Sequence, residues 1–172
     1  FEENDLAILY GNVSASKDDL QIECDTLKFF SKMDKILGIG NSHVWNESYD
    51  LKADSITVYT KIDSGIAHGN TILVQKNQTI TANRIEYQKI KDSDGVSFTS
   101  IGNVTIKDSL RTATCGRARY NRQKENTELK IDPQIKDKSK RTLSGKTISL
   151  SYSDEQLTKL YISDEASAIT NI

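Results

Sequence analysis

The residues able to do chemistry are few: two histidines, His43 and His68, and two cysteines, Cys24 and Cys115. Paired imidazoles can hold zinc, but neither histidine has a second His or Cys two to four residues on, the spacing that builds a site on one element. Both read as surface strand residues, and no metal is expected. Two cysteines allow at most one disulfide. Gly145-Lys146-Thr147 ends like a phosphate-binding loop, yet that loop needs a glycine five residues before Gly145, where Lys140 stands. No Gly-X-Ser-X-Gly elbow occurs, and the carboxylates scatter over polar turns. The Asn-X-Ser/Thr triplets at Asn12, Asn46, Asn77 and Asn103 carry no assigned role. Nothing here assembles a catalytic set, and no cofactor is implied; the chain is expected not to be an enzyme.

Bulk composition narrows the field further. Net charge is −1, with 27 % charged residues of both signs interspersed along 172 positions. A sequence-independent grip on nucleic acid needs a basic stripe. Only Arg111–Arg122 approaches one, and it reads as a solvated strand face, so no nucleic-acid partner is expected. No apolar run is long enough to span a bilayer as a helix. The first residue is Phe1 and not Met, in keeping with removal of a signal peptide or an anchor.

The organising feature is an internal repeat. Gly-Asn recurs at Gly11-Asn12, Gly40-Asn41, Gly69-Asn70 and Gly102-Asn103, at spacings of 29, 29 and 33. Thirteen residues after each Gly comes one six-residue pattern: a small residue, a turn former, any residue, an aliphatic, any residue, then an aromatic or aliphatic. The copies begin at Cys24, Ala53, Ala82, Cys115 and Gly145, and the fifth lies thirteen residues after Asp132 without a Gly-Asn. Two residues before each small position stands another apolar one: Ile22, Leu51, Ile80, Ala113 and Leu143. Units therefore start near 11, 40, 69, 102 and 132, and the whole chain, 1–172, reads as a single domain of about five repeats.

Period-2 alternation marks each copy as a strand. Leu51 and Ala53 share one parity and Ile56 and Val58 the other; the pairs Leu27/Phe29, Ile85/Tyr87, Ala118/Tyr120 and Ile148/Leu150 stand in the same relation to their small residues. One extra residue, Asp25, Asp54 or Asn83, lies between the halves. A bulge or bend there keeps both halves facing one interior, and Asp and Asn tolerate the unusual backbone angles of a corner. Both cysteines fall in the small slot, three units and roughly 29 Å apart at about 4.8 Å per strand, so a disulfide is excluded. No helix of three turns is convincing; Asp154–Tyr161 reads equally as turn plus strand. Pro133, the only proline, precedes the fifth unit. The fold class expected is all-β, a stack of bent antiparallel strand pairs.

The repeated Gly-Asn with its constant offset to Ala-Asp-X-Ile/Leu-X-Tyr/Phe/Val resembles the OstA/LptA family of lipopolysaccharide-transport proteins, over Gly11 to about Leu150. The resemblance implies a twisted, open β-jellyroll in the periplasm, holding acyl chains of lipopolysaccharide or a related glycolipid and joining other jellyroll domains edge to edge. It carries over no catalytic residue. The implied lipid lining is the set of apolar motif positions: Ile22, Cys24, Leu27 and Phe29; Leu51, Ala53, Ile56 and Val58; Ile80, Ala82, Ile85 and Tyr87; Ala113, Cys115, Ala118 and Tyr120; Leu143, Ile148 and Leu150. Strand edges near Leu6–Tyr10 and Leu157–Ile162 are the expected docking edges. Against this stand a structural β-repeat with a filled core and a solenoid enzyme. Two departures need explanation: the fourth unit has Gly116 at its corner with Arg117 and Arg119 beside it, and the fifth lacks both Gly-Asn and the acidic corner.

Overall fold

The computed structural model describes residues 5–75, 77–90, 95–153 and 156–170. They form one open antiparallel sheet of fourteen strands. Eight long ones come first: β1 (Leu6–Lys17), β2 (Leu20–Phe30), β3 (Lys35–Trp45), β4 (Asp50–Tyr59), β5 (Ser64–Gln75), β6 (Gln78–Lys89), β7 (Val96–Lys107) and β8 (Arg111–Asn121). Six short ones follow: β9 (Asn126–Lys130), β10 (Gln134–Asp137), β11 (Arg141–Ser144), β12 (Thr147–Ser153), β13 (Gln156–Ser163) and β14 (Ser167–Thr170). The only helical turn among the described residues is a 3-10 turn at Ser31–Met33. The expected all-β roll of antiparallel strands is thus observed, and the segment that read as turn or strand after Asp154 is β13.

Each long strand is bent at its middle. In β1, β3, β5 and β7 the register shifts by one residue across the Gly-Asn pair, between Tyr10 and Val13, Ile39 and Ser42, His68 and Thr71, and Ile101 and Val104. Both residues of each pair have positive φ, as in Gly40 (75°) and Asn41 (44°). Two successive left-handed residues suit Gly and Asn and few others, which is why this dipeptide recurs. The unusual backbone angles therefore sit on Gly-Asn and not on Asp25, Asp54 or Asn83. Those residues face the bulge instead: Asn41 donates to Asp25 at 3.0 Å, Asn70 to Asp54 at 3.0 Å and Asn103 to Asn83 at 3.4 Å.

The bend turns each strand into two halves whose inner faces oppose each other. At the inside of the bend the space is smallest, and the side chains there are Cys24, Gly38, Ser42, Ala53, Ala67 and Ala82, all buried. A Cβ on Gly38 would lie 3.3 Å from the Cys24 Cβ and 3.2 Å from the Ser42 Oγ. That crowding is the reason for the small slot. Farther out along each half the space widens, and Ile22, Leu27, Val44, Leu51, Ile56, Leu73, Ile80 and Ile85 fill it.

The last repeat keeps the bend but breaks the strands. β9 pairs with one half of β8 and β10 with the other, so the two together replace one bent strand. The interruption is Ile131-Asp132 (φ 65° and 52°), with buried Pro133 following. Here the roles at the corner are exchanged. A Cβ on Gly116 would come within 2.6 Å of Ile131 Cγ2, and the Gly116 amide donates to the Ile131 carbonyl at 2.7 Å. The glycine has moved to the even strand because the odd strand now carries a bulky residue. The two departures of the fourth and fifth units are one complementary change. A further pair, Asp164-Glu165 (φ 56° and 54°), divides β13 from β14. Among the described residues β1 pairs only with β2, β13 only with β12 and β14 only with β11, which leaves open edges at both ends.

Candidate functional site: the interior and its cleft

Of the nineteen lining positions, sixteen are buried in one contiguous core: every one except Phe29, Tyr120 and Leu143. Tyr120 is half-buried and packs against that core, and Leu143 is half-buried on β11. Phe29 opposes Ile36 and Ala7 on the inner face of β2 but is 38 % exposed, because only the edge strand β1 lies beyond it. The odd strands contribute as much lining as the even ones. Val44, Ala67, Leu73, Phe98 and Val104 are buried in the same core, two or four residues from the bulge glycine of β3, β5 and β7, and Leu129 of β9 joins them. Four buried hydroxyl residues, Ser42, Thr71, Ser100 and Thr127, interrupt the apolar surface; Thr71 donates to the Ala82 carbonyl at 2.6 Å.

The turns at the free ends of the two half-sheets form two facing rims. One rim carries the β1–β2, β3–β4, β5–β6, β7–β8 and β10–β11 connections; the other carries those after β2, β4 and β8. Over the first repeats the rims meet. Lys17 Nζ donates across to the Thr60 carbonyl at 3.0 Å. Tyr49, in the β3–β4 turn, inserts its ring beside Tyr87 and Phe98 of the opposite half-sheet, with centroids 5.6 Å from each. Beneath, Val44, Leu51, Ile56, Leu73 and Ile85 are fully buried against one another.

Over the later repeats the rims stand apart and leave a cleft of about 710 Å³. One wall is Gln75, Gln78, Leu110 and the β10–β11 turn; the other is Tyr120, Tyr152 and Leu157. The rim is polar. Arg111 pairs with Asp108 at 3.1 Å and Arg141 with Asp137 at 2.6 Å, and Lys138 stands between them in sequence. Below the cleft the core is packed: between Ile80, Phe98, Ile106 and Ala118 only a gap of about 10 Å³ remains, room for about one water molecule. The arrangement offers hydrogen bonds and charge at the mouth and apolar contact inside, the division an amphiphile requires.

The residues singled out for chemistry are not brought together. Cys24 and Cys115 are free and buried, and burial raises both thiols, Cys115 to about 11, so neither is a thiolate nucleophile at neutral pH. His43 stacks on Trp45 at 4.2 Å and lies 3.0 Å from Asp50, while His68 is exposed on β5. Among the described residues no group of three or more His, Cys, Asp or Glu could hold a metal ion, and no helix is long and apolar enough to cross a membrane.

An open roll of bent antiparallel strands with an apolar core and a polar-rimmed cleft between its rims defines a class of β-repeat proteins. The chain belongs to the LptA/(LptD N-terminal domain) LPS transport protein family, whose model matches residues 50–156, from β4 into β13. Among solved structures, LptH of Pseudomonas aeruginosa, described as the LptA-homologous periplasmic component of the conserved lipopolysaccharide transport device, is similar at 11 % identity over 99 % of this chain and 97 % of its own, with a TM-score of 0.31. No curated protein matches.

Proposed function

We propose that this protein is a non-catalytic carrier that shields the acyl chains of lipopolysaccharide, or a related glycolipid, in its interior while the lipid crosses the periplasm. The observation that carries the reading is the cleft between the rims, because it sets polar and charged rim residues beside the apolar Leu110, Tyr120, Tyr152 and Leu157 at the edge of the core. Its energetic logic is direct. Each CH₂ is worth roughly 0.8 kcal/mol, so exposing an acyl chain of about a dozen carbons to water costs on the order of 10 kcal/mol. An apolar trough removes most of that barrier. Membership of a lipopolysaccharide-transport family supports the cargo.

A purely structural roll is the competing reading, favoured by the filled interior of the first repeats. Lipid binding separates the two. Purified protein is expected to bind lipopolysaccharide, with free fatty acid competing, and Leu157→Glu in the cleft wall to weaken binding at least about tenfold, as expected for a charge placed against buried tails. No binding by the wild type, direct or competed, would sink the carrier reading.

The open edges at β1 and β13 suit strand addition by other jellyroll domains, or by a second copy. β1 is apolar on both faces along Leu6–Tyr10, with Tyr10 74 % exposed. Proline at Ile8 together with proline at Lys159 is expected to abolish concentration-dependent association in sedimentation; unchanged association would exclude the edges.

A further inference from the structure

The two walls of the cleft are chemically unlike. On one half-sheet the row of inward positions just beyond the core is polar. Gln75 lies two residues past buried Leu73 and Gln78 two before buried Ile80, while Arg111 and Asp137 stand likewise to Ala113 and Ile135. Gln75 and Gln78 oppose each other in register at the end of the β5–β6 hairpin. On the other half-sheet the same row is aromatic: Tyr120 lies two residues past buried Ala118, and Tyr152 two past buried Leu150.

Charge at the mouth is already matched. Among the described lining residues the cations Arg111, Lys138 and Arg141 stand with the carboxylates Asp108, Glu125 and Asp137. Asp108 accepts from the amides of Leu110 and Arg111 at 2.7 Å each, and its second oxygen accepts from the Arg111 guanidinium at 3.1 Å. Asp137 repeats the device in the β10–β11 turn, accepting from the Arg141 amide at 3.0 Å and from Arg141 Nε at 2.7 Å. The Lys138 amide donates to the Leu110 carbonyl at 3.2 Å and so ties the two turns together. A guanidinium carries five N–H donors, so each arginine keeps donors beyond those its aspartate takes. An uncharged acceptor can use them, whereas an anion would meet the aspartate beside them.

We propose that the cleft holds the saccharide part of the glycolipid and recognises its uncharged hydroxyl groups, not its phosphates. A sugar ring matches both walls. Its C–H face packs on Tyr120 and Tyr152, whose ring faces attract the weakly positive hydrogens. Its hydroxyl edge exchanges hydrogen bonds with the amides of Gln75 and Gln78 and accepts from Arg111 and Arg141. A volume of about 710 Å³ falls within the roughly 300–1,000 Å³ of small-molecule sites and leaves room for a short oligosaccharide. The proposal rests on the carrier reading for where the lipid is held, and adds which part of its head is recognised.

The test is saturation-transfer NMR on the full chain, with the oligosaccharide left when every acyl chain is removed from lipopolysaccharide. It is run before and after enzymatic removal of the phosphates. Transfer to the sugar ring protons is expected in both forms, with affinities within about threefold of each other; a larger loss on dephosphorylation would mean phosphate recognition and overturn the proposal. Tyr152→Ala is expected to weaken binding of the dephosphorylated form at least about threefold, and a smaller loss would remove the stacking wall and the proposal with it. No transfer to the sugar from a protein that binds intact lipopolysaccharide would overturn the saccharide site and leave the carrier reading standing. Binding of neither would overturn both. Should Tyr152→Ala not fold, amide shifts of the wild type on adding the dephosphorylated oligosaccharide decide the matter. Shifts at Gln75, Gln78 and Tyr152 support the site, and shifts confined to other residues overturn it.

Discussion

Gly69→Ala is expected to destabilise the protein by about 3 kcal/mol or more, against about 1–2 kcal/mol for Gly11→Ala. Both glycines have left-handed backbones, at φ +74° and +81°. Alanine meets the same intrinsic penalty at each. Only at Gly69 does the new methyl overlap a neighbour, the carboxylate of Asp54, whereas nothing lies within 4 Å of a Cβ on Gly11. The difference arises because, among the described residues, Gly11 lies on a strand paired on one side only, so no corner residue presses on it. Urea unfolding with an unchanged slope reads the two costs directly. Adding Asp54→Ala to Gly69→Ala is expected to recover part of the loss, since it removes the overlap while also losing the bond from Asn70. Equal costs at Gly69 and Gly11 would mean that corner packing between repeats contributes nothing.

The second large effect is expected in the closed half of the interior. Leu51→Ala or Leu73→Ala removes a fully buried side chain from a space with no room to collapse, at a cost of about 3–5 kcal/mol. A domain of this size is stable by only about 5–15 kcal/mol, so either change consumes a large part of the total. Phe29→Ala is the internal control. Its ring lies on the same inner face but remains 38 % exposed, and its loss is expected to cost under about 1 kcal/mol. Thermal or urea denaturation of the three variants checks the ranking. A cost at Phe29 matching that at Leu51 would show that β1 and β2 are covered more fully than the register allows.

These effects also show which parts of the molecule are legible in its sequence. The bend is legible because two consecutive left-handed residues are hard to build without glycine and asparagine, so Gly-Asn marks each one. The small slot is legible because the inside of a bend has the least room, and Cys24, Ala53, Ala82 and Cys115 obey that limit. The corner carboxylates were harder to read: Asp25 and Asp54 look like residues adopting turn geometry, yet they act as acceptors for the asparagine of the next repeat. The inward residues of the odd strands, Ala67, Leu73, Phe98 and Val104, follow the same two-residue period outward from Gly-Asn. They escape a search anchored on the even strands. Tyr49 carries no periodic signal at all, being a turn residue whose partners lie 38 and 49 positions away, at Tyr87 and Phe98. The cleft is illegible for a deeper reason: it depends on how far two rims stand apart, a property of no single strand.

The corner contact reaches only from one repeat to the next, and in three of its occurrences it is the same bond between the same kinds of side chain. It therefore discriminates between registers but not between copies. A strand slipped by one residue loses it, whereas a whole repeat inserted or deleted would restore it on both sides of the change. Growth by duplication is then structurally cheap, and each added pair of strands would lengthen the roll by roughly 10 Å. The terminal repeat, where Gly116 and Ile131 have exchanged the roles of glycine and bulky neighbour, is the place where such interchange fails. That mismatch keeps this repeat from changing places with the others.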